Sequence, residues 1–412
     1  MSSQPTPQIR TRRVFYIPGY DPFPPRRYRE LYRKESAAQA EVSGYDIALK
    51  PQAEGAGRYG WHVDATIEGQ KVETDITVLM WSDIVQNSME RGIAGTYVLL
   101  LRTAWTYITS GALFRLMRLR KGPVIAALYP VGFLLVQLIL SFAAGAATIW
   151  LGKTYLVPWL GQFGDAASGI AGVVVFVGVL KWFKAQDGRF FAYYLMQDYA
   201  YSAQFKGANP PELEARMAEF VEEIAAALKG DVDEVLVVGH SSGAHLGVSV
   251  LADLLRQGGV PDKGPVLSFL SLGQVVPMVS FLPDAHRLRS DLAFLSTRKE
   301  LSWVDVTAPG DGCAFALCDP VSVSGVAPDG KRWPLVISAA FTQTLSPERW
   351  RALRWRFFRL HFQYLCAFDR PGDYDYFQIT AGPLSLGARF ADRQPSPSRI
   401  ETPASRYTSV AA

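Results

Sequence analysis

The chain has 412 residues, 49% of them apolar and 19% charged, with a formal net charge of +4. That length and apolar content exclude a disordered protein and allow one large domain or two ordinary ones. The basic excess is mild and falls in short clusters beside aromatics, which does not make the continuous phosphate-tracking patch of a nucleic-acid binder and turns attention to apolar stretches.

Residues 1–13 are polar with no apolar centre, so they read as a disordered tail and not as a secretory signal. Residues 14–96 read as the first half of an α/β domain. Val14 to Pro18 is a short β-rich run closed by Pro18-Gly19-Tyr20, and Pro25 to Ala40 is a basic, tyrosine-bearing helix. Strands are expected at Tyr45–Leu49, Trp61–Ile67 and Val72–Met80, the middle one alternating as a half-exposed strand does.

Residues 97–185 read as a membrane insertion. Tyr97 to Leu119 carries Arg102 and Arg115 within an apolar, aromatic stretch, which suits an interfacial helix; a third span would bury those charges in hydrocarbon. Pro123 to Leu151 is long enough to span despite Pro130, and Ala166 to Phe183 is a shorter second span with Lys181 snorkelling at its end. Small residues (Gly145, Ala146, Ala147; Gly169, Gly172, Gly178) allow close approach of the two helices. Arg115, Arg118, Arg120 and Lys121 precede the pair and Lys181, Lys184 and Arg189 follow it, while the connecting loop holds only Lys153 and Asp165. The positive-inside rule then puts both flanking parts in the cytoplasm. The expected location is a bacterial inner membrane.

Residues 186–390 return to alternating helix and strand. A helix opens at Pro210-Pro211 and runs to Lys229, followed by strand Val235–Val238, helix Gly243–Arg256 and strand Val266–Leu272. Further strands are expected at Ser302–Thr307 and Trp333–Ala339, and a helix begins at Ser346 with Pro347 in its first turn and is expected to extend through His361. The Ser/Pro/Arg-rich residues 391–412 read as a second disordered tail. The expected fold class is α/β: a mostly parallel sheet with helices on both faces, interrupted by a transmembrane hairpin. Cys313, Cys318 and Cys366 make no disulfide framework and lack the second Cys or His pair of a zinc site, so they read as reduced thiols.

The chemistry concentrates at Val235-Leu-Val-Val-Gly-His-Ser-Ser-Gly, which contains G-x-S-x-G as Gly239, Ser241 and Gly243. An apolar β-run ends at the first glycine and a helical pattern starts at the last, the setting of a strained strand-turn-helix elbow. These residues resemble the α/β-hydrolase superfamily, and the Gly-His-Ser-Ser-Gly form is similar to that of its lipases and esterases. The resemblance covers Val14 to Gly387 apart from the hairpin. It implies Ser241 as nucleophile, with an oxyanion hole from the Ser242 N–H and one amide after an early strand, here Tyr20. Related lipases commonly carry His-Gly-x there, where this chain has Pro18-Gly19-Tyr20.

The superfamily order is serine, acid, histidine. Among the five histidines, His62 precedes the serine, His240 is the variable elbow position and His245 lies one helical turn on, directed into packing. His361 sits late in the chain, as the order requires, and His286 is the alternative. The acid is Asp311, in Pro309-Gly-Asp-Gly-Cys after a strand, with Asp319 as the alternative and Asp305 within the strand itself. The implied activity is hydrolysis of carboxylic esters of lipid-like or apolar acyl groups, without metal or organic cofactor. Acyl transfer or thioester cleavage on the same serine, or a non-catalytic membrane scaffold, are the other readings. The partners expected are a bilayer and an acyl-ester substrate, and no nucleic acid. Basic, aromatic helices at both ends of the domain (Tyr28 and Tyr32 among Arg26, Arg27, Arg29 and Arg33; Trp350, Trp355, Phe357, Phe358 and Phe362 among five arginines) suit either a leaflet surface or solvated helix faces.

Overall fold

The computed structural model describes residues 8–52, 57–89, 92–261 and 263–411. Eight strands form one sheet: β1 (Thr11–Ile17), β2 (Asp46–Pro51), β3 (Gly60–Ile67), β4 (Gln70–Val78), β5 (Glu234–His240), β6 (Val266–Leu272), β7 (Leu301–Thr307) and β8 (Leu335–Ser338), in the order β2-β3-β4-β1-β5-β6-β7-β8. β3 runs antiparallel to its neighbours β2 and β4, and every other neighbouring pair is parallel. β5 is buried along its whole length, as a central strand covered on both faces must be, whereas β3 alternates between buried and half-exposed positions.

The two faces of β5 go to different layers. Leu236 and Val238 join a core with Tyr16, Leu270 and Val304 from β1, β6 and β7, covered by Tyr28 and Tyr32 of helix Arg26–Ser43 and Phe377 of helix Tyr376–Ala381. On the opposite face helix Ser242–Arg256 lies so close that an added Cβ on Gly247 would meet the Phe269 ring at 2.7 Å. Helix Pro211–Leu228 flanks it, opened by proline at its first position and by Glu212 and Glu214, which favour the positive helix end.

β1 lies between β4 and β5, so the chain leaves it in one direction for β2 to β4 and returns on its other side as β5. In an open parallel sheet, such a reversal opens a crevice beyond the carboxyl ends of the two strands, where ligands bind.

Several sequence expectations change. Of residues 1–13, expected as a disordered tail, Thr11 to Arg13 belong to β1, and residues 1–7 lie outside the described part. Arg12 is buried against Glu234 at 2.6 Å and donates to the Gly382 and Leu384 carbonyls, so its charge is satisfied inside the sheet. Glu234 also accepts from the Ser268 hydroxyl and the Leu386 amide. The second tail, residues 391–411, lies along the domain: Ser396 N–H donates to Val336 of the edge strand β8, Ile400 pairs with Cys318, and Arg289 donates to the Ser409 carbonyl. Backbone hydrogen bonds hold it, which a composition poor in large apolar residues does not announce. Tyr28 and Tyr32 are core residues, bonded through their hydroxyls to Asp21 and Thr380, so the early helix does not present them to a leaflet.

The chain divides into two compact units: one is Met1–Asn87, Ile108–Pro123 and Phe205–Ala412, and the other is Ser88–Tyr107 with Val124–Gln204. The insertion therefore differs from the expected 97–185. The stretch Tyr97 to Leu119 is two helices, Ile93–Thr109 and Ala112–Leu119, separated at Gly111 with φ +72°. The second of these belongs to the sheet unit, where the following Arg120 donates to the Ala316 carbonyl at 2.8 Å. Helix Lys121–Tyr155, which enters the other unit at Val124, and helix Gln162–Ala185 within that unit are long and apolar enough to cross a membrane, with mean hydropathies of 2.2 and 1.9 over their most apolar windows. They touch where the side chains are smallest: a Cβ on Gly145 would lie 2.8 Å from the Gly172 carbonyl oxygen, and one on Gly152 would collide with Ser168. Gly169 and Gly178, expected at the same contact, face open space. Lys153 and Asp165, expected in the connecting loop, lie in the last turn of the first helix and the first turn of the second, and pair at 3.0 Å.

Candidate functional site

Ser241 follows β5 and precedes helix Ser242–Arg256, with φ +57° and ψ −120°. A residue with a side chain rarely adopts this backbone, and the surroundings show what holds it. A Cβ on Gly239 would lie 2.6 Å from the Gly243 carbonyl oxygen. One on Gly243 would lie 2.1 Å from the Ile17 carbonyl oxygen and 2.7 Å from that of Pro18. Both glycines are thus demanded by contact: the first by the helix doubling back over the strand, the second by the end of β1 passing beside the helix. The Ser241 amide donates to the Leu272 carbonyl at the end of β6, at 2.9 Å. Among the described residues, its hydroxyl makes no hydrogen bond.

The turn after β1 lies against this serine. The Cβ position of Gly19 is 3.0 Å from Ser241 Cβ and 3.4 Å from its Oγ. Trp81 Nε1 donates to the Pro18 carbonyl at 2.9 Å, and the edge of Tyr20 packs on the Trp81 ring. Tyr20 follows Gly19, and Ser242 is the first residue of the helix, where amides have no intrahelical acceptor. The two amides named from the sequence therefore belong to the segments that flank the serine, at the β1/β5 crevice.

His361 ends the short helix Phe357–His361 and is 7% exposed. The expected continuous helix from Ser346 is broken: Pro347–Leu353 stops, and Arg356 takes a non-helical backbone before the second helix begins. That break turns Leu360 and His361 inward while Trp355, Phe357 and Phe358 remain exposed. His361 Nδ1 and Asp311 Oδ2 are 2.7 Å apart. A carboxylate can only accept, so Nδ1 carries the proton and Nε2 is left with a lone pair. The Cys313 amide donates to Asp311 Oδ1 at 2.8 Å and the Tyr364 hydroxyl to Oδ2 at 3.0 Å. Burial alone would push the Asp311 carboxyl up, but His361 and these two donors outweigh it and hold the carboxyl below the usual carboxylate range.

Gly273, next to Leu272, brings the histidine to the serine's side of the sheet. It has φ +52°, and its Cβ position is 3.0 Å from His361 Cε1 and 2.7 Å from the Tyr364 ring. The serine is thus tied to Leu272 while the imidazole rests on Gly273, beyond the carboxyl ends of β5 and β6, and Asp311 bonds back to Ala308 just after β7.

The alternatives are occupied elsewhere. Asp319 caps helix Pro320–Val323 through the Val321 and Ser322 amides and pairs with Lys331 at 2.5 Å. Asp305, fully buried in β7, accepts from the Ser271 hydroxyl. His286 Nδ1 faces Arg289, and His62 is shared between Asp75 and Asp64 on the antiparallel side of the sheet. His245 is buried in the helix after the elbow, and burial pulls its imidazole down to about 4.

Two site residues escaped the sequence reading. His240 Nε2–H donates to the His361 carbonyl at 3.0 Å, and the two rings lie 4.9 Å apart. Burial, with His361 nearby, lowers its imidazole to about 3, so it stays neutral and serves as a brace. Tyr364 joins Asp311 to the backbone of Ala308. The only signals are the histidine inside the elbow motif and the three-residue spacing from His361 to Tyr364. Neither a family model, nor a curated protein, nor a solved structure matches this chain.

The arrangement offers a serine hydroxyl on a strained turn, an imidazole with a free lone pair, a buried ionised carboxylate fixing that imidazole, and amides on both sides of the serine. Asp311, Cys313 and His361 also place one donor atom each within 4.8 Å of one another. Three donors match the count of a catalytic zinc with an open fourth position, but here His361 Nδ1 is hydrogen-bonded to Asp311 Oδ2 and the Cys313 amide and Tyr364 hydroxyl donate to the same carboxylate, an arrangement that suits proton transfer.

Proposed function

We propose that the chain is a membrane-anchored serine hydrolase of the α/β-hydrolase kind that cleaves carboxylic esters of lipid-like acyl groups at the cytoplasmic leaflet of a bacterial inner membrane. The observation that carries this reading is the backbone of Ser241, at φ +57° between two glycines that admit no side chain. Strain of this sort persists only where surrounding structure enforces it, and it suits a serine presented as a nucleophile at the end of a strand.

In this reading Ser241 Oγ attacks the ester carbonyl carbon as His361 Nε2 takes the hydroxyl proton. The carbonyl oxygen gains the charge and accepts from the Tyr20 and Ser242 amides. His361 passes the proton to the departing alkoxide, which leaves as an alcohol and an acyl-serine. Water then repeats the cycle with His361 as base and releases the acid. Asp311 stays ionised throughout and holds Nδ1–H. The two apolar helices, exposed along most of their length, supply the anchor, and the charges flanking them supply the orientation.

The test is hydrolysis of acyl esters of graded chain length by the detergent-solubilised full chain. Turnover is expected for the wild type, and Ser241→Ala should abolish it. Equal turnover in the two proteins, or none in the wild type across the series, overturns the proposal.

A further inference from the structure

An open cleft of about 490 Å³ lies behind the Asp311 loop, within the sheet unit. Its walls include Arg120 and Lys121 from one side and Trp350, Arg354, Trp355 and Phe357 from the other. Among the described residues, none of the three cations pairs with a carboxylate. The acid in the lining, Asp311, is committed to His361. The cleft is therefore cationic without compensation, a surface that asks for an anion.

Its other half is apolar and exposed. Trp355 is 72% and Phe357 44% open to solvent, and Arg354 lies over the Trp355 ring. Aromatic side chains beside Arg and Lys are the composition of a headgroup-level surface, where rings meet acyl chains and cations meet phosphate. Lys121 is also the first residue of the helix Lys121–Tyr155, which is apolar enough to span. Three lining residues of the cleft, Lys121, Gly122 and Pro123, form the first turn of that helix.

We infer that this cleft binds an anionic acyl lipid, its negatively charged head group on Arg120, Lys121 and Arg354 and its chain along Trp350, Trp355 and Phe357. The cleft wall is built from the two segments that carry the acid and the base. An added Cβ on Gly312 would touch the Phe357 ring at 3.0 Å, and one on Gly310 would meet Trp350 at 2.7 Å. Phe357 starts the helix that His361 ends. A lipid seated here presses on the Asp311 loop and the His361 helix together. The contact thereby gives the bound lipid a handle on the acid and base of the hydrolase. That last step rests on the proposed function; the binding itself does not.

The test places the full chain in phosphatidylcholine nanodiscs containing a trace of phosphatidylglycerol or phosphatidylcholine with a photoreactive diazirine in the acyl chain. Fluorophosphonate labelling of Ser241 is followed in the same samples. Cross-links are expected on the peptide spanning residues 350–357, favouring phosphatidylglycerol about tenfold. Lys121→Gln combined with Arg354→Gln should reduce them to the phosphatidylcholine level, and Arg354→Lys should retain them. Equal cross-linking by both lipids, insensitivity to the double substitution, or displacement by millimolar inorganic phosphate alone overturns the inference. Cross-linking as expected without fluorophosphonate labelling keeps the lipid site and removes the hydrolase reading, so the two fail separately.

Discussion

Replacing Gly243 by alanine puts a methyl group 2.1 Å from the Ile17 carbonyl oxygen and 2.7 Å from that of Pro18. Ordinary contact begins near 3.4 Å, so something must retreat by about 1 Å in an interior packed like a crystal. β1 is hydrogen-bonded to β4 on one side and β5 on the other, and cannot move as a strand. The retreat falls on the Pro18–Tyr20 turn or on the first turn of the helix, which hold the two amides assigned to the oxyanion. A misplacement of about 1 Å costs on the order of 10²-fold in rate, or about 2.7 kcal/mol of barrier. Overpacking removes about 1–3 kcal/mol of stability as well. The assay is the second-order rate of fluorophosphonate labelling, with thermal unfolding in parallel. Gly258→Ala, at φ +67° with open space around it, supplies the control: a small stability loss and an unchanged labelling rate. Folded Gly243→Ala protein that labels at the wild-type rate would refute the assignment of the elbow.

The acid is tested by a pair of substitutions. Asp311→Asn keeps the shape but reverses the histidine's hydrogen-bond demand, and turnover should fall by about 10⁴-fold; Asp319→Asn should cost about 1–3 kcal/mol of stability through the weakened Lys331 contact and leave turnover near wild type, and the opposite ranking would move the acid to Asp319. Asp305 supplies a pH signature. Burial pushes its carboxyl up to about 8, opposed by the Ser271 hydroxyl and aided by Asp319. In the unfolded chain it ionises near pH 4, so between about pH 4 and 8 the native state holds the extra proton, and stability falls as pH rises by up to about 1.4 kcal/mol per unit. Asp305→Asn removes that dependence. Its gain in melting temperature over the wild type should widen from pH 5 to pH 8, and a flat or narrowing difference would contradict this account.

The sheet was legible because its strands are short β-rich runs punctuated by glycine and proline, and all eight were expected within a few residues of their observed bounds. Ser241, Asp311 and His361 could be picked out by motif and chain order, and the structure brings them to adjoining strand ends. What stayed hidden depends on contacts between distant segments. Arg12 reads as a tail residue until Glu234, more than 200 positions on, is placed beside it. The C-terminal segment is poor in large apolar residues and is held by backbone bonds to Leu317, Val323 and Val336, which no composition records. The break at Arg354–Arg356 interrupts a run of arginines and aromatics that suits a helix throughout. His240 looked like filler in a motif because its partner is a backbone carbonyl, and any residue offers one.

The most direct test of the central claim is the location of a fluorophosphonate adduct, read by peptide mass spectrometry on the solubilised full chain. One adduct is expected, on Ser241, absent after Ser241→Ala and slowed after His361→Ala. An adduct on a different serine, or equal labelling of wild type and Ser241→Ala, would contradict that claim.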